Sequence, residues 1–316
     1  MPVTAAMRDR ALRIAWRTLR IAVALGLVYV LARAAGFGDL ATVRAMRPEW
    51  LAFGVALVPL SVWVRAYNHG LLLNAHGRLL GPWHLYRLTL VGAGIALILP
   101  MGAADLLKAR YGLTVHGHAE EMVISSVFDK LTSLTALAAM GVVGAVVAGD
   151  PVLAGVAGVI ALATLVPFAV PTGGLWRLLL RFLAPRAHLD EEVVARQARP
   201  PLRLLAKVWT VSFAAWIVTY TVVYACCRAV GAPIDIFTVF ALAPLSTIAR
   251  LIPISAGGIG VGEFTMAALF VRAGVDQAVA AQAALLQLGM LILLPGLAGA
   301  LILATVRKPS SETLEH

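Results

Sequence analysis

The sequence has 316 residues, of which 60% are apolar and 13% are charged, and its formal net charge is +10. Soluble domains are about half apolar and a quarter charged, so this composition excludes an ordinary water-soluble fold and indicates an integral membrane protein. Nucleic acid is not an expected partner, because no soluble stretch is long enough to fold into a domain with a basic face.

Six apolar stretches predict membrane-spanning helices, since a helix needs about 20 apolar residues to cross ~30 Å of hydrocarbon. In chain order they lie at about residues 17–35, 50–66, 121–148, 151–171, 206–228 and 279–305. The first stretch follows several arginines, as in a signal peptide, but no convincing cleavage site ends it, so we expect a retained helix. Residues 306–316 are interpreted as a tail that ends in the remnant of an expression tag. We therefore expect one all-α membrane domain over residues 1–316.

Lysine and arginine residues in short connections indicate orientation, because they are retained in the cytoplasm during insertion. Most of the 26 basic residues lie in the two termini and in the connections at 65–87, 108–110 and 177–207. Both termini are therefore predicted to be cytoplasmic, in a bacterial-type cytoplasmic (inner) membrane, with Asp150 and Asp235 on the opposite side.

Two further apolar segments, 88–113 and 234–272, must each begin and end on one side for this charge distribution to hold, so we predict that both are re-entrant. Each is broken by proline and glycine, at Pro100–Gly102 and at Pro253–Gly262, which remove helical hydrogen bonds and free the backbone. Broken segments are tolerated at membrane depth only where they are buried in protein or line a wet cavity. We call them the first and second broken segments.

The order span, span, re-entrant segment, span occurs in residues 15–150 and again in residues 151–305, with the second half starting on the opposite side. This order predicts an inverted repeat, an arrangement common in transporters. Eight full spans are the alternative, and they leave both termini in the cytoplasm as well.

Seven ionisable residues lie in or beside the apolar segments, where a lipid-facing charge costs at least ~2.5 kcal/mol. They are Asp105, Lys108, Arg110, Asp129, Lys130, Arg250 and Glu263. Asp129 and Lys130 either form ion pairs that only fix helix packing or belong to a solute path, and we favour the path because intramembrane ionisable residues are more often functional. Glu263 either complements the dipole of the helix that follows it or lines the same path.

A glycine turn, Gly257 to Gly262, comes directly before that helix. Backbone N–H groups at a helix N-terminus bind phosphate and other anions, so Gly257, Gly258 and Gly260 are candidate substrate-binding residues. No Walker or dinucleotide motif accompanies the turn, and no catalytic triad or metal-binding spacing can be placed. Neither a cofactor nor a metal ion is therefore expected.

The second broken segment resembles the lysylphosphatidylglycerol synthase transmembrane-region family, which comprises the flippase domain of that bifunctional synthase and many stand-alone relatives. Its most specific element is the run from Ile252 to Glu263, with a proline, small residues, paired glycines and the glutamate. The resemblance covers most of residues 15–305. Weaker elements keep the charge signs of the family but replace its usual residues, and they are Asp105, Lys108 and Arg110 after Pro100, and the pair Asp129–Lys130.

The resemblance implies a stand-alone lipid translocase (flippase), with a membrane lipid as its substrate. The lipid would be an anionic or modified phospholipid or a polyprenyl-linked lipid. No stretch here matches the soluble aminoacyltransferase domain of the bifunctional synthase, so lipid aminoacylation by this chain alone is not expected.

Two alternatives belong to other functional classes. One is a membrane-embedded glycosyl- or acyltransferase, which needs a general base, and its candidates are Asp105, Asp129 and Glu263. The other is a non-catalytic partner of a lipid-modifying enzyme. The sequence favours a transporter over an enzyme, because no catalytic constellation accompanies these carboxylates.

Overall fold

The computed structural model describes residues 2–37, 40–74, 80–98, 119–147, 149–169, 200–252 and 254–305, and within these ranges the regular structure is helical throughout. The helices are α1 (Pro2–Ala35), α2 (Leu40–Arg44), α3 (Pro48–Asn74), α4 (Pro82–Ile98), α5 (Ala119–Val147), α6 (Pro151–Ala169), α7 (Leu202–Ala229), α8 (Ile236–Ala249), α9 (Val261–Arg272), α10 (Gln277–Leu288) and α11 (Leu294–Thr305). A short 3₁₀ turn, Ala256–Gly258, lies between α8 and α9, and a π-helical segment, Gly289–Leu293, joins α10 to α11.

In the part of the chain that the structure describes, six helical stretches are long and apolar enough to cross a membrane, which confirms the predicted all-α membrane fold. They are Thr18–Ala35, Pro48–Asn74, Ile124–Val147, Pro151–Ala169, Leu202–Ala229 and Gln277–Thr305. Each overlaps one of the six predicted spans.

The second span differs from its prediction at the C-terminal end. It was expected to end near residue 66, but α3 continues to Asn74, because Asn68 and His69 are buried against neighbouring helices. Arg65, which the charge distribution placed in a cytoplasmic connection, therefore lies inside α3.

Helices α3 and α7 pack along each other in antiparallel directions. Trp50 near the start of α3 contacts Tyr224 near the end of α7, with ring centroids 5.8 Å apart. Further along α3, Asn68 donates a hydrogen bond of 3.0 Å to Ser212, which comes earlier in α7. This pair connects the two predicted halves of the chain.

Two close helix crossings also connect the halves, and both depend on glycine. In the crossing of α4 with α11, a Cβ atom on Gly94 would lie 2.6 Å from the backbone nitrogen of Ala300. In the crossing of α5 with α8, a Cβ atom on Gly144 would overlap the carbonyl group of Ala241. Small residues of this kind let helix backbones approach closely in membrane proteins.

Helices α8 and α9 form a hairpin, and the outer end of α9 meets the connection between α5 and α6. Helix α8 begins directly after Asp235, whose carboxylate accepts the N–H of Thr238 and caps the helix. Helix α9 ends at Arg272, which lies 3.4 Å from Asp150 in that connection. The two helices have 14 and 12 residues, fewer than the roughly 20 needed to cross the hydrocarbon.

The tip of the hairpin is the glycine turn, and it lies against α1. Gly257, Gly258 and Gly260 have φ angles of 62°, 72° and 86°, in the left-handed region that favours glycine. Arg20 of α1 donates two hydrogen bonds, of 3.0 and 3.3 Å, to the carbonyl oxygen of Ser255. The hairpin is therefore anchored to the bundle at its tip as well as at the outer end of α9.

The break of the first broken segment, at Pro100–Gly102, lies outside the described residues, and so do the candidates Asp105, Lys108 and Arg110. The described part of this segment, at the end of α4, reaches the glycine turn. A Cβ atom on Gly257 would lie 3.4 Å from the carbonyl oxygen of Ala96. The two segments thus approach each other close to the point where the first one is predicted to break.

Candidate functional site

A cavity of about 610 Å³ lies among α3, α5, α7 and α8. A further side is formed by Met266 of α9, Gln287 of α10, and Leu291 and Ile292 of the π-helical segment. Half of its described lining residues are apolar, and four are charged: Arg65, Asp129, Lys130 and Arg250. Six others carry hydroxyl groups: Ser126, Ser133, Thr219, Tyr220, Ser246 and Thr247. The lining therefore combines charges and hydrogen-bonding groups within a bundle of candidate membrane spans.

Arg250, directly after α8, is held by two acceptors from other helices. Its Nη2 atom lies 2.6 Å from the Oε1 atom of Glu263 in α9 and 3.5 Å from the Oε1 atom of Gln287 in α10. The Arg250 side chain is 12% exposed and that of Glu263 is fully buried. The positive charge of Arg250 thus faces the cavity with a carboxylate directly behind it.

Glu263 has a second contact, within the glycine turn. Its Oε2 atom accepts the backbone N–H of Gly260 at 2.7 Å, which is the capping arrangement of a glutamate in the first turn of a helix. The expectation that Glu263 complements the start of α9 agrees with this contact. Because the Glu263 side chain is buried behind Arg250, it holds that arginine in place at the cavity wall.

The glycines of the turn make room for Arg250. A Cβ atom on Gly262 would lie 2.8 Å from the Nη2 atom of Arg250 and 2.9 Å from its Cζ atom, and one on Gly258 would overlap the Arg250 carbonyl group. The N–H groups of Gly258 and Gly260 donate to Ser255 and to Glu263. Both donors are therefore used within the turn, and the contacts support a role in positioning Arg250.

Arg65 is a cavity residue that sequence reasoning missed. Its Nη2 atom donates a hydrogen bond of 3.0 Å to the hydroxyl group of Thr219, and its Cζ atom lies 4.8 Å from the ring centroid of Trp216. The side chain is exposed and lines the cavity. A signal was present, because Arg65, Asn68 and His69 place three polar residues on one face of an otherwise apolar helix.

Trp216 is itself fixed by neighbours on two helices. Its indole N–H donates to the carbonyl oxygen of Ser133 at 3.0 Å, and its ring stacks on Tyr220 with centroids 5.5 Å apart. Tyr220 donates in turn to Thr247 of α8 at 3.2 Å. Arg65 therefore rests on a side-chain network that joins α5, α7 and α8.

Asp129 and Lys130, on α5, both line the cavity. Asp129 accepts a hydrogen bond of 2.8 Å from the side-chain amide of Asn68 on α3, and Asn68 also donates to Ser212 on α7. Asp129 is half-buried and Lys130 is exposed. Adjacent positions on a helix point about 100° apart, so the cavity wraps around this part of α5.

The structure thus brings together Asp129, Lys130 and Arg250, adds Arg65, and puts Glu263 behind Arg250. Among the described residues, no group of three His, Cys, Asp or Glu side chains could hold a metal ion. The charges present suit the binding of an anionic group that also offers hydrogen-bond acceptors.

Comparison with known proteins gave one family match. The family model described as "Lysylphosphatidylglycerol synthase TM region" matches residues 17–299. This range includes the described helices that surround the cavity and the whole glycine turn. No curated protein matches the chain.

Proposed function

Because the chain belongs to the lysylphosphatidylglycerol synthase TM region family, we propose that it is a lipid translocase (flippase) of the bacterial-type cytoplasmic membrane. It would move an anionic or modified phospholipid or a polyprenyl-linked lipid between the leaflets. The head group would pass through the cavity, and the acyl or prenyl tails would remain in the surrounding lipid.

The charged cavity is the observation that carries this proposal. Its described lining has three cationic side chains, Arg65, Lys130 and Arg250, and one carboxylate, Asp129. Glu263, behind the lining, pairs with Arg250, so the excess positive charge at the cavity comes from Arg65 and Lys130. An anionic head group cannot enter bare hydrocarbon without a large desolvation cost, and fixed positive charges and hydroxyl groups offset that cost. A cavity of this charge among apolar spans therefore supports transfer of an anionic head group.

The hairpin of α8 and α9 supports a re-entrant second broken segment. Its helices are short, the outer end of α9 lies at Asp150, and its tip contacts Gln287 inside the last candidate span through Arg250. A segment with these properties would enter the membrane from one side and leave it on that same side. The predicted sidedness, with both termini in the cytoplasm, would put the outer ends of the hairpin on the opposite side.

The packing of the helices supports the inverted repeat. Helix α4 crosses α11 at Gly94, and α8 crosses α5 at Gly144. In each crossing the broken segment of one half packs on the last span of the other half. Helices α3 and α7, the second spans of the two halves, pack on each other, as an internal two-fold relation requires.

The membrane-embedded transferase is less well supported. Of its three candidate general bases, Glu263 is buried and bound to Arg250 and Gly260, so it is not available to take a proton from a substrate. Asp105 lies outside the described residues. Asp129 remains, and it accepts a hydrogen bond from Asn68.

Transfer in liposomes that contain only this protein tests the proposal. Phosphatidylglycerol with a fluorescent tail label would be distributed over both leaflets, and a membrane-impermeant quencher would be added outside. We expect quenching to proceed beyond the outer-leaflet half in protein-containing vesicles. Quenching that stops at the level of protein-free vesicles would refute transport by this chain alone and favour a non-catalytic partner of a lipid-modifying enzyme.

A further inference from the structure

We propose that Arg65 is the side chain that binds the phosphate group of the ligand, and that Arg250 instead fixes the wall of the cavity. The inference rests on the proposed function for one point only, that the phosphate belongs to a lipid head group. The two arginines line the same cavity, but their contacts differ in kind.

The contacts of Arg250 are those of a structural residue. Glu263 neutralises its charge at 2.6 Å, and Gln287 accepts a second, longer hydrogen bond of 3.5 Å. Gly258 and Gly262 enclose its side chain so closely that a Cβ atom at either position would clash with it. A buried arginine with its own carboxylate has little positive charge left for a ligand, and breaking the pair leaves an uncompensated buried charge.

Arg65 has the opposite properties. Its side chain is exposed to the cavity, and among the described residues no carboxylate lies within ion-pair distance of it. A guanidinium carries five N–H donors, and among the described residues Arg65 donates one hydrogen bond, to Thr219. Its remaining donors are therefore available to a ligand in the cavity, and the carboxylate of Asp129, beyond ion-pair distance, offsets its charge in part.

The surroundings hold Arg65 in a fixed orientation. The Trp216 ring lies beneath the guanidinium at 4.8 Å, and Thr219 fixes one of its nitrogens. The nearby carboxylate of Asp129 is bound by Asn68, which lies one turn further along α3. The guanidinium is thus oriented in advance, which lowers the entropy cost of binding a phosphate through two parallel hydrogen bonds.

Binding and stability measurements on four variants of the full chain in nanodiscs test the assignment. Arg65→Gln removes the charge, and Arg65→Lys keeps the charge but loses the planar guanidinium. Arg250→Gln breaks the pair with Glu263, and Arg272→Gln removes an exposed arginine outside the cavity lining as a matched control. The probe is phosphatidylglycerol, and its binding is measured by native mass spectrometry together with the thermal unfolding midpoint of each variant.

We expect Arg65→Gln to weaken phosphatidylglycerol binding by roughly tenfold, since charge-assisted hydrogen bonds to phosphate are the strong ones. Arg65→Lys should bind with intermediate affinity, because lysine is a point charge without the bidentate geometry. The midpoints of both variants and all properties of Arg272→Gln should match the wild type. Wild-type binding by Arg65→Gln, or a fall in its midpoint as large as that of Arg250→Gln, would overturn the assignment.

Two further experiments are a binding competition and a transfer assay. The first identifies the source of the phosphate, and the second separates this inference from the proposed function. Diacylglycerol should not compete with phosphatidylglycerol, and neither should millimolar inorganic phosphate; full displacement by inorganic phosphate would overturn the lipid assignment. If the wild type transfers no lipid but Arg65→Gln still weakens lipid binding, the proposed function fails and the role of Arg65 stands. If the wild type transfers lipid and Arg65→Gln transfers it equally fast, the role of Arg65 fails and the function stands.

Discussion

The Nη2 atom of Arg250 lies 2.6 Å from the Oε1 atom of Glu263, and the other carboxylate oxygen of Glu263 accepts the N–H of Gly260 at 2.7 Å. One fully buried carboxylate therefore fixes the arginine that follows α8 and the first turn of α9. The two arms of the hairpin are joined at the point where the backbone turns through its glycines. Glu263 therefore helps to fix this side of the cavity, together with Gln287, which also accepts a hydrogen bond from Arg250.

Glu263→Gln should lower the thermal unfolding midpoint of the purified protein. The change removes the negative charge and leaves the buried guanidinium of Arg250 uncompensated, and breaking a buried ion pair costs about 3–5 kcal/mol. The amide of glutamine keeps one acceptor, so we expect the lower part of that range. Glu49→Gln, at an exposed position in the first turn of α3, is the matched control and should leave the midpoint unchanged.

The double variant Arg250→Gln with Glu263→Gln makes this prediction sharper. Removing both charges leaves no unpaired ion, so the double variant should be more stable than Glu263→Gln alone. A double variant that is less stable than either single variant would show that the charges do not act as a pair.

Gly262→Ala should displace Arg250 from Glu263 without moving the backbone. The new Cβ atom would lie 2.8 Å from Nη2 of Arg250, at the flexible end of that side chain, so the guanidinium must leave its position. We expect a loss of stability of about 1–3 kcal/mol, in the range of core substitutions that disrupt a buried network. Gly155→Ala is the control, because this helical glycine of α6 has open space around it and alanine favours helix by up to ~1 kcal/mol.

Combining Gly262→Ala with Glu263→Gln checks the mechanism. Both substitutions disrupt the same contact, so their effects on the unfolding free energy should be less than additive. Full additivity would mean that the alanine acts by some route other than Arg250.

The six spans could be predicted from the sequence, because length and apolarity are properties of each stretch alone. The end of the second span could not. Arg65 looks like the first charge of a cytoplasmic connection, and only the burial of Asn68 and His69 against other helices reveals that α3 continues past it. Sorting charges by their distance from apolar stretches fails where a span itself carries an arginine.

The candidate site was predictable in its residue types but not in its pairings. Asp129, Lys130, Arg250 and Glu263 stand out because charges are rare in apolar segments. Their partners depend on tertiary packing: Asp129 is bound by an asparagine on another helix, and Glu263 turns away from the cavity to bind Arg250. The spacing of the glycines indicated a turn, but the arginine that occupies the space above them could be identified only in three dimensions.

Labelling of single cysteines should report Asp150 and Asp235 on the side opposite to Arg203. The background is Cys226→Ala with Cys227→Ala, since both native cysteines are buried. In right-side-out membrane vesicles, a membrane-impermeant maleimide should react with Asp150→Cys and Asp235→Cys, and with Arg203→Cys only after permeabilisation. The physical reason is the retention of basic connections in the cytoplasm together with the hairpin that returns to Asp150.

The substitution at Asp150 removes an ion pair with Arg272 and the hydrogen bond that Asp150 accepts from the N–H of Leu153 at the start of α6. A surface ion pair and a helix cap are each worth about 1 kcal/mol, so the fold should survive their loss. Labelling of Asp150→Cys and Asp235→Cys from different sides would be incompatible with a re-entrant hairpin. Labelling of both only after permeabilisation would reverse the predicted orientation of the whole chain.

Lys130→Ala should slow the transfer of anionic lipid severalfold and lower the thermal unfolding midpoint less than Glu263→Gln does. Lys130 is exposed and lines the cavity, so its removal raises the electrostatic barrier for a passing head group and leaves buried packing intact. The measurement is the rate of quenching of labelled phosphatidylglycerol in protein-containing liposomes.

Lys207→Ala is the matched control, because Lys207 is also an exposed lysine on a spanning helix but lies over the ring of Tyr67, outside the cavity lining. Its transfer rate should equal that of the wild type. Salt supplies a second check: screening weakens the attraction between exposed charges, so the difference between the Lys130→Ala and wild-type rates should shrink as ionic strength rises. Equal transfer of phosphatidylglycerol by the Lys130→Ala and Lys207→Ala proteins at low salt would show that Lys130 does not lie on the path. Arg65 would then be the sole exposed cation on the path among the described residues of the cavity lining.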